Sequence, residues 1–153
     1  MTTTIQIVSF QKRHQQATAD LINAGLGERF GFVDTTMNPD LYDIAASFAG
    51  GVFLVALDGE TLVATGSLMP VDDTTGQISR MHTKAGYRRQ GIASKVLSAL
   101  EARAAELALQ RLVLETNVEW ADAIRFYAGH GYQPTVVKNG EQHFEKPLSR
   151  SVT

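Results

Sequence analysis

Seven consecutive residues, Arg88-Arg89-Gln90-Gly91-Ile92-Ala93-Ser94, combine the features that binding a phosphate requires. They stand between a strand-like run and a helical pattern, where the first N–H groups of a helix lack partners and the helix dipole is positive. Gly91 and Ala93 leave the backbone uncovered, so a pyrophosphate can come within hydrogen-bonding distance, and Arg88 and Arg89 supply charge. Taken alone, the hexapeptide Arg88 to Ala93 fits an ordinary surface helix start with solvated arginines at least as well. The order of elements around it has to decide.

Other chemistries find little support. The chain has no cysteine, which excludes a disulfide framework, a thiol nucleophile and a cysteine-ligated metal. His14, His130 and His143 are scattered without metal-ligand spacing, and there is no G-x-S-x-G elbow and no P-loop, so no metal is expected. Phe30, Phe32, Phe48 and Phe53 have no interleaved basic residues and read as core or pocket walls. A net charge of -2 argues against bulk nucleic-acid affinity, while the region from 84 to 95 remains a local basic patch suited to a small anion.

These residues need elements to position them. A length of 153 residues with 44% hydrophobic and 20% charged residues predicts one ordinary domain over 1–153, and no stretch is long enough to cross a membrane. No apolar signal region follows Met1, so a cytoplasmic location is expected. Ile5, Ile7, Val8 and Phe10 predict a first strand, and Lys12 to Ala24 a helix. Gly25 to Asp40, with three glycines and Pro39, reads as a loop or broken helical turn, and Leu41 to Ala49 as a short helix. Val52–Leu57 and Thr61–Met69 form a hairpin across Asp58-Gly59, and Gln77 to Thr83 is the next strand.

Beyond Gly91 the period changes from two to about 3.6, with Ile92, Val96, Leu100 and Leu107 on one stripe of an amphipathic helix. Arg111 to Glu115 follows at once, and strand-helix-strand in that order predicts a parallel pair. Thr116 through Glu119 matches a capping box and opens a further helix, closed by Gly129 and Gly131. Tyr132 to Val137 and His143 to Lys146 are the last strands.

In this setting the chain resembles the GCN5-related N-acetyltransferase (GNAT) superfamily. The stretches that carry the resemblance are Arg80-Met81-His82-Thr83, Arg88 through Ala93, Leu112 to Thr116, Ala123-Ile124-Arg125-Phe126-Tyr127 and Gly131-Tyr132. The family motif Q/R-x-x-G-x-G/A matches Arg88, Gly91 and Ala93. The resemblance covers residues 77 to 135, while the amino-terminal half agrees only in element order. It implies an α/β (α+β) fold: a mixed, twisted, mostly antiparallel sheet of six to seven strands with helices on both faces. Acetyl-coenzyme A would lie in a cleft between strands 4 and 5.

The resemblance also implies roles. Backbone groups at Met81, His82 and Thr83 would hold the pantetheine arm and polarise the thioester, and Arg88 to Ser94 would hold the pyrophosphate. Tyr127 would be the general acid, because a phenol of pKa about 10 can protonate a leaving thiolate of pKa about 8.5. By its stripe Trp120, Ala123, Ile124, Tyr127 it also fits a core position. The general base stays open. Where many relatives carry a carboxylate, this chain has Gln77, which leaves Glu115, His82 or water. Where they carry a pantetheine-binding asparagine it has Trp120, so Asn117 either reaches the cofactor or caps the helix.

The expected reaction is direct transfer of acetyl from acetyl-coenzyme A to a primary amine of a small molecule or peptide. Two rivals remain: a non-catalytic acyl-coenzyme A sensor, and a domain binding another phosphorylated ligand. Homodimerisation through the last strands, as in similar proteins, also stays open.

Overall fold

In the computed structural model, residues 4–148 are described. The expected domain over 1–153 therefore includes residues 1–3 and 149–153, which lie outside the described residues. Seven strands form one sheet in the order β1-β2-β3-β4-β5-β7-β6. They are β1 (Ile5–Ser9), β2 (Val52–Asp58), β3 (Thr61–Pro70), β4 (Thr75–Thr83), β5 (Arg111–Asn117), β6 (Gln133–Lys138) and β7 (Glu141–Pro147). Every neighbouring pair is antiparallel except β4 and β5.

Helices cover both faces. On one side α1 (Gln15–Phe30), the single turn α2 (Ile44–Ser47) and the 3-10 turn before it bury Ile22, Ile44 and Leu41 against Phe53, Val55 and Leu62. On the other, α3 (Ile92–Glu106) and α4 (Ala121–Gly129) cover the larger core, which includes Val96, Leu100, Leu112, Leu114 and Phe144. The α3 stripe is as read except at its end, where Ala104 is buried and Leu107, past the last turn, is exposed.

Helix α1 is longer than the glycines suggest. It continues through Gly25 and Gly27 and ends at Gly31, whose φ of 79° and N–H bond to the Gly27 carbonyl close it in the left-handed manner. Gly25 has a packing reason rather than a breaking one: a Cβ there would sit 2.8 Å from Nδ1 of His82 on the sheet below. The segment after it, expected as a loop, contains two 3-10 turns, Thr35–Met37 and Pro39–Leu41.

The capping box expected at Thr116 to Glu119 does not form. β5 runs on through Asn117, Thr116 is buried in it, and the residue capping α4 is Trp120, whose side chain makes no capping bond. Strand pairing outcompetes the local cap because Thr116↔Gln142 and Asn117↔Glu141 extend the ladder with β7.

Two irregularities shape the middle of the sheet. β4 and β5 pair over only three rungs, Thr75↔Arg111, Gly76↔Leu112 and Gln77↔Val113, and then part. β4 also bulges: Thr65 faces His82 and Ser67 faces Ser79, so the single Gly66 opposes both Arg80 and Met81. Arg80 takes the left-handed φ of 54°, a strained value for arginine. Its guanidinium is fastened to Asp40 by bonds of 2.9 and 2.7 Å and to Asn38 by one of 3.1 Å, and its carbonyl accepts from Thr65 Oγ1 at 2.7 Å. Gly66 gives the bulge room, since a Cβ there would lie 2.6 Å from Met81 Sδ and 2.8 Å from Val96 Cγ1.

Candidate active site

The parting of β4 from β5 opens a cleft of about 570 Å³ lined by Met81 and Thr83 of β4, the start of α3 and Tyr127 of α4. From Ile78 onward the β5-facing edge of β4 has no strand partner among the described residues, so its polar backbone is available to a ligand.

At the cleft's other wall, α3 begins at Gly91. With a φ of 79°, this N-cap position suits glycine, and no side chain caps the helix. The first helical bond runs from Lys95 N–H to the Gly91 carbonyl, so the N–H groups of Ile92, Ala93 and Ser94 precede it at the positive end of the helix. Arg89 lines the cleft and makes no hydrogen bond or ion pair to another described residue; its φ of 63° is also left-handed. An uncapped helix start with a spare guanidinium fits an anion such as a pyrophosphate.

Arg88 is already engaged. Its two terminal nitrogens donate to the Glu28 carboxylate at 2.8 and 3.0 Å, and its Nε donates to the Thr83 carbonyl at 3.2 Å. The hydrogen bonds to Arg88 hold the Glu28 carboxyl below the usual range. The neighbouring Arg29 makes a second bidentate pair, with Asp122 in the first turn of α4 at 2.7 and 2.8 Å, and its guanidinium lies 4.6 Å from the centre of the Trp120 ring. The last turn of α1 is thus tied both to the α3 turn and to the start of α4. Tyr87, also on the cleft, donates to Asp58 at 2.8 Å.

Tyr127 is buried among Phe126, Tyr132 and Phe144. Burial pushes its phenol well above the ordinary tyrosine value, so it stays protonated across the neutral range. No other described residue hydrogen-bonds its hydroxyl, and the residue lines the cleft. Nearby, His130 Nδ1 lies 2.7 Å from the Phe126 carbonyl and so carries the proton; its Nε2 therefore accepts from Ser94 Oγ at 2.8 Å. This bond joins the start of α3 to the end of α4.

Of the residues read as candidates, Met81, Thr83, Arg88, Arg89, Gly91, Ile92, Ala93, Ser94 and Tyr127 meet around the one cleft. Three lie elsewhere. The His82 ring packs against Gly25 on the α1 side, where burial, and then the charges of Arg80, Arg29 and Arg88, push its pKa down to about 4. The Gln90 side chain turns back to the Gly86 carbonyl at 3.1 Å. Asn117 lines a separate pocket on the far side of Trp120, and its Oδ1 accepts from Glu119 N–H at 2.9 Å. Glu115 lines that second pocket too, 3.4 Å from His143 Nδ1. Gln77 ends the parallel ladder opposite Val113.

Sequence reasoning did not single out Arg29 or Asp122 for this cleft, nor the pairing of Glu28 with Arg88. Glu28 and Arg88 are 60 positions apart, and Arg29 and Asp122 are 93 apart, so no local pattern joins them. The available signal was two adjacent charges of opposite sign at the end of a helix leading toward the site.

The family model described as the acetyltransferase (GNAT) family matches residues 18–132. N-acetyltransferase 8F1 of Rattus norvegicus is 31% identical over 111 residues, covering 68% of this chain and 50% of the relative. Human N-acetyltransferase 8 is 29% identical over 112 residues, covering 68% and 49%. The chain spans about half the length of these curated relatives. Among solved structures, an acetyltransferase of the GNAT family from Staphylococcus aureus Mu50 superposes with a TM-score of 0.88 at 21% identity, covering 95% of this chain and 100% of that one. The PaiA N-acetyltransferase of Thermoplasma acidophilum, solved with coenzyme A, gives 0.84 at 14% identity, covering 94% and 99%. At these identities the structures speak for the fold.

Proposed function

This chain belongs to the acetyltransferase (GNAT) family, and from that premise we propose that it moves an acetyl group from acetyl-coenzyme A to a primary amine, acting as one domain. The observation that carries the reading is the meeting of three features in one cleft: the unpaired edge of β4, the uncapped start of α3, and Tyr127.

When bound, acetyl-coenzyme A supplies an activated thioester: a C–N bond forms to the acetyl carbon, the C–S bond breaks, and a thiolate leaves. This chain's residues do the rest. The N–H groups at Ile92 to Ser94, with Arg89, hold the pyrophosphate, and Arg88 joins them when it leaves Glu28. The β4 edge from Ile78 pairs with the pantetheine amides as a strand would, and one of its N–H groups polarises the carbonyl. Tyr127 directs its phenol proton to the sulfur. Because burial makes the phenol a weaker acid than usual, its main contribution is a hydrogen bond that strengthens as charge builds on sulfur, with the proton following.

The amine must lose a proton before attack. His82 is a poor acceptor for it, being pushed down to about 4 and turned toward Gly25. Gln77 has no useful basicity. Glu115 lies beside His143 in the second pocket and not on the cleft, so the proton leaves through water.

A second reading, a non-catalytic acyl-coenzyme A sensor, draws on the lack of a carboxylate at Gln77. Release of free coenzyme A against a panel of amines and peptides, alongside cofactor binding by calorimetry, separates the two. Acceptor-dependent release that falls about 100-fold or more in Tyr127→Phe, with binding retained, is the expected outcome. Tight binding without release across the panel would favour the sensor, and no binding would overturn both.

A further inference from the structure

Ser94 lines the cleft as the third residue of α3, and its hydroxyl is bound from behind by His130 at the end of α4, a residue outside the cleft lining. The direction of that bond matters to an anion. A hydroxyl has a single hydrogen to donate. With His130 Nε2 accepting it at 2.8 Å, the Ser94 hydrogen points at the ring and Oγ offers the cleft nothing but lone pairs. A phosphate oxygen at the start of α3 needs the opposite arrangement.

A change of tautomer cannot supply it. Nδ1 of His130 lies 2.7 Å from the Phe126 carbonyl, which accepts and never donates, so moving the ring hydrogen to Nε2 would set a lone pair against that oxygen. Adding a proton does supply it. In the imidazolium both nitrogens donate, Nδ1 to the Phe126 carbonyl and Nε2 to Ser94 Oγ, and the Ser94 hydrogen is released to turn into the cleft. The ring sits at the C-terminal end of α4, where the helix dipole is negative, and packs on Phe126 with ring centres 4.4 Å apart.

The other charged groups near His130 are already matched. Lys146 of β7 donates to the His130 carbonyl at 2.8 Å and to Glu101 of α3 at 3.0 Å, and Tyr132 donates to the same carboxylate at 2.8 Å. Burial and then the Glu101 bond keep the Tyr132 phenol protonated. On the cleft beyond Ser94, Arg29 and Arg88 are paired with Asp122 and Glu28, and Arg89 is free among the described residues. The ring is the group left to answer a new negative charge.

Resting on the transferase reading, we propose that His130 is a positioning residue for the coenzyme A pyrophosphate: as the anion arrives, the ring takes a proton from solvent and turns the Ser94 hydroxyl onto a phosphate oxygen. No bond of the ligand changes, and the proton returns to solvent when coenzyme A leaves. The coupling is reciprocal, so cofactor affinity falls as the pH rises, by up to about tenfold per pH unit for one linked proton. The effect lies in cofactor affinity and vanishes at saturating acetyl-coenzyme A.

Imidazole nitrogen NMR of the full chain near pH 7 reads the ring directly. On addition of coenzyme A the His130 Nε2 signal should move toward the protonated position while Nδ1 stays protonated. Calorimetry in buffers of different ionisation enthalpy should show proton uptake on coenzyme A binding, lost in Ser94→Ala and His130→Gln and kept in Ser94→Thr. The 3′-phosphate of the ligand is common to all four proteins, so their difference isolates the Ser94–His130 pair. The amide in His130→Gln can still bond to Ser94 but cannot gain charge; it should weaken coenzyme A binding about three- to tenfold at about pH 6 and little at about pH 8. A ring that only packs would weaken binding equally at both. An Nε2 signal that does not respond to coenzyme A, or proton uptake that Ser94→Ala leaves intact, overturns this inference, while acceptor-dependent release keeps the transferase reading standing. Failure of the parent protein to bind coenzyme A overturns both.

Discussion

Glu28 in the last turn of α1 and Arg88 in the turn before α3 hold each other through two hydrogen bonds of 2.8 and 3.0 Å. Arg88 therefore meets an incoming pyrophosphate with its charge already matched. Replacing Glu28 by Gln removes the competing charge, and because an exposed pair contributes only about 0–1 kcal/mol, acetyl-coenzyme A should bind about two- to fivefold more tightly. Calorimetry at low salt checks this, and unchanged or weaker binding would mean that the ligand does not draw on Arg88.

Tyr127 sets a pH expectation. Its burial raises the phenol above the ordinary value of about 10, so the acid form persists through the working range. A plot of kcat/KM against pH should rise as the acceptor amine loses its proton and show no falling limb before about pH 10. A falling limb centred near pH 8 or 9 would show that a different acid governs the reaction.

His82 makes a prediction about stability. Its pKa is about 4 when folded and about 6.5 when unfolded, so between those values the unfolded chain binds more protons. Stability then falls as the pH drops from about 6.5 to 4, by about 1–3 kcal/mol from this group. In urea unfolding at pH 7 and pH 4.5, His82→Gln should lose less stability between the two conditions than the parent does.

Gly66 lies opposite the β4 bulge, where an added Cβ would meet Met81, Val96 and Leu100 within 2.9 Å. Gly66→Ala should cost about 1–3 kcal/mol through overpacking. The urea midpoint reports the loss, and an unchanged midpoint would mean that the bulge yields freely.

The sequence made some of this legible and hid the rest. Period and turn residues located β2, β3 and α3, because alternation and the 3.6-residue stripe are local signals. The α3 turn was readable for the same reason: Arg88 to Ser94 is contiguous. Gly25 misled, since the same residue type marks a helix end or a close approach, and only the position of His82 on the neighbouring strand tells them apart. The Thr116 to Glu119 pattern misled in the opposite way, a local cap yielding to ladder bonds with residues far along the chain. Glu28–Arg88 and Arg29–Asp122 exist only once α1 is laid across the sheet, so the adjacent opposite charges at the helix end could not name their partners.

The three-rung junction of β4 with β5 also bears on how the chain assembles. β2, β3 and β4 each pair with the next strand across a short turn, and β6 and β7 form a hairpin, so these pairings close short loops, whereas β1 meets β2 only past α1 and α2. Joining β4 to β5 requires Thr75 to find Arg111 across the whole of α3, a slower closure than any of these turns. The ligand cleft opens at that late seam. A bound ligand bridging β4, α3 and α4 would act as a clasp on it, and amide exchange at the seam should slow more than exchange within the hairpins.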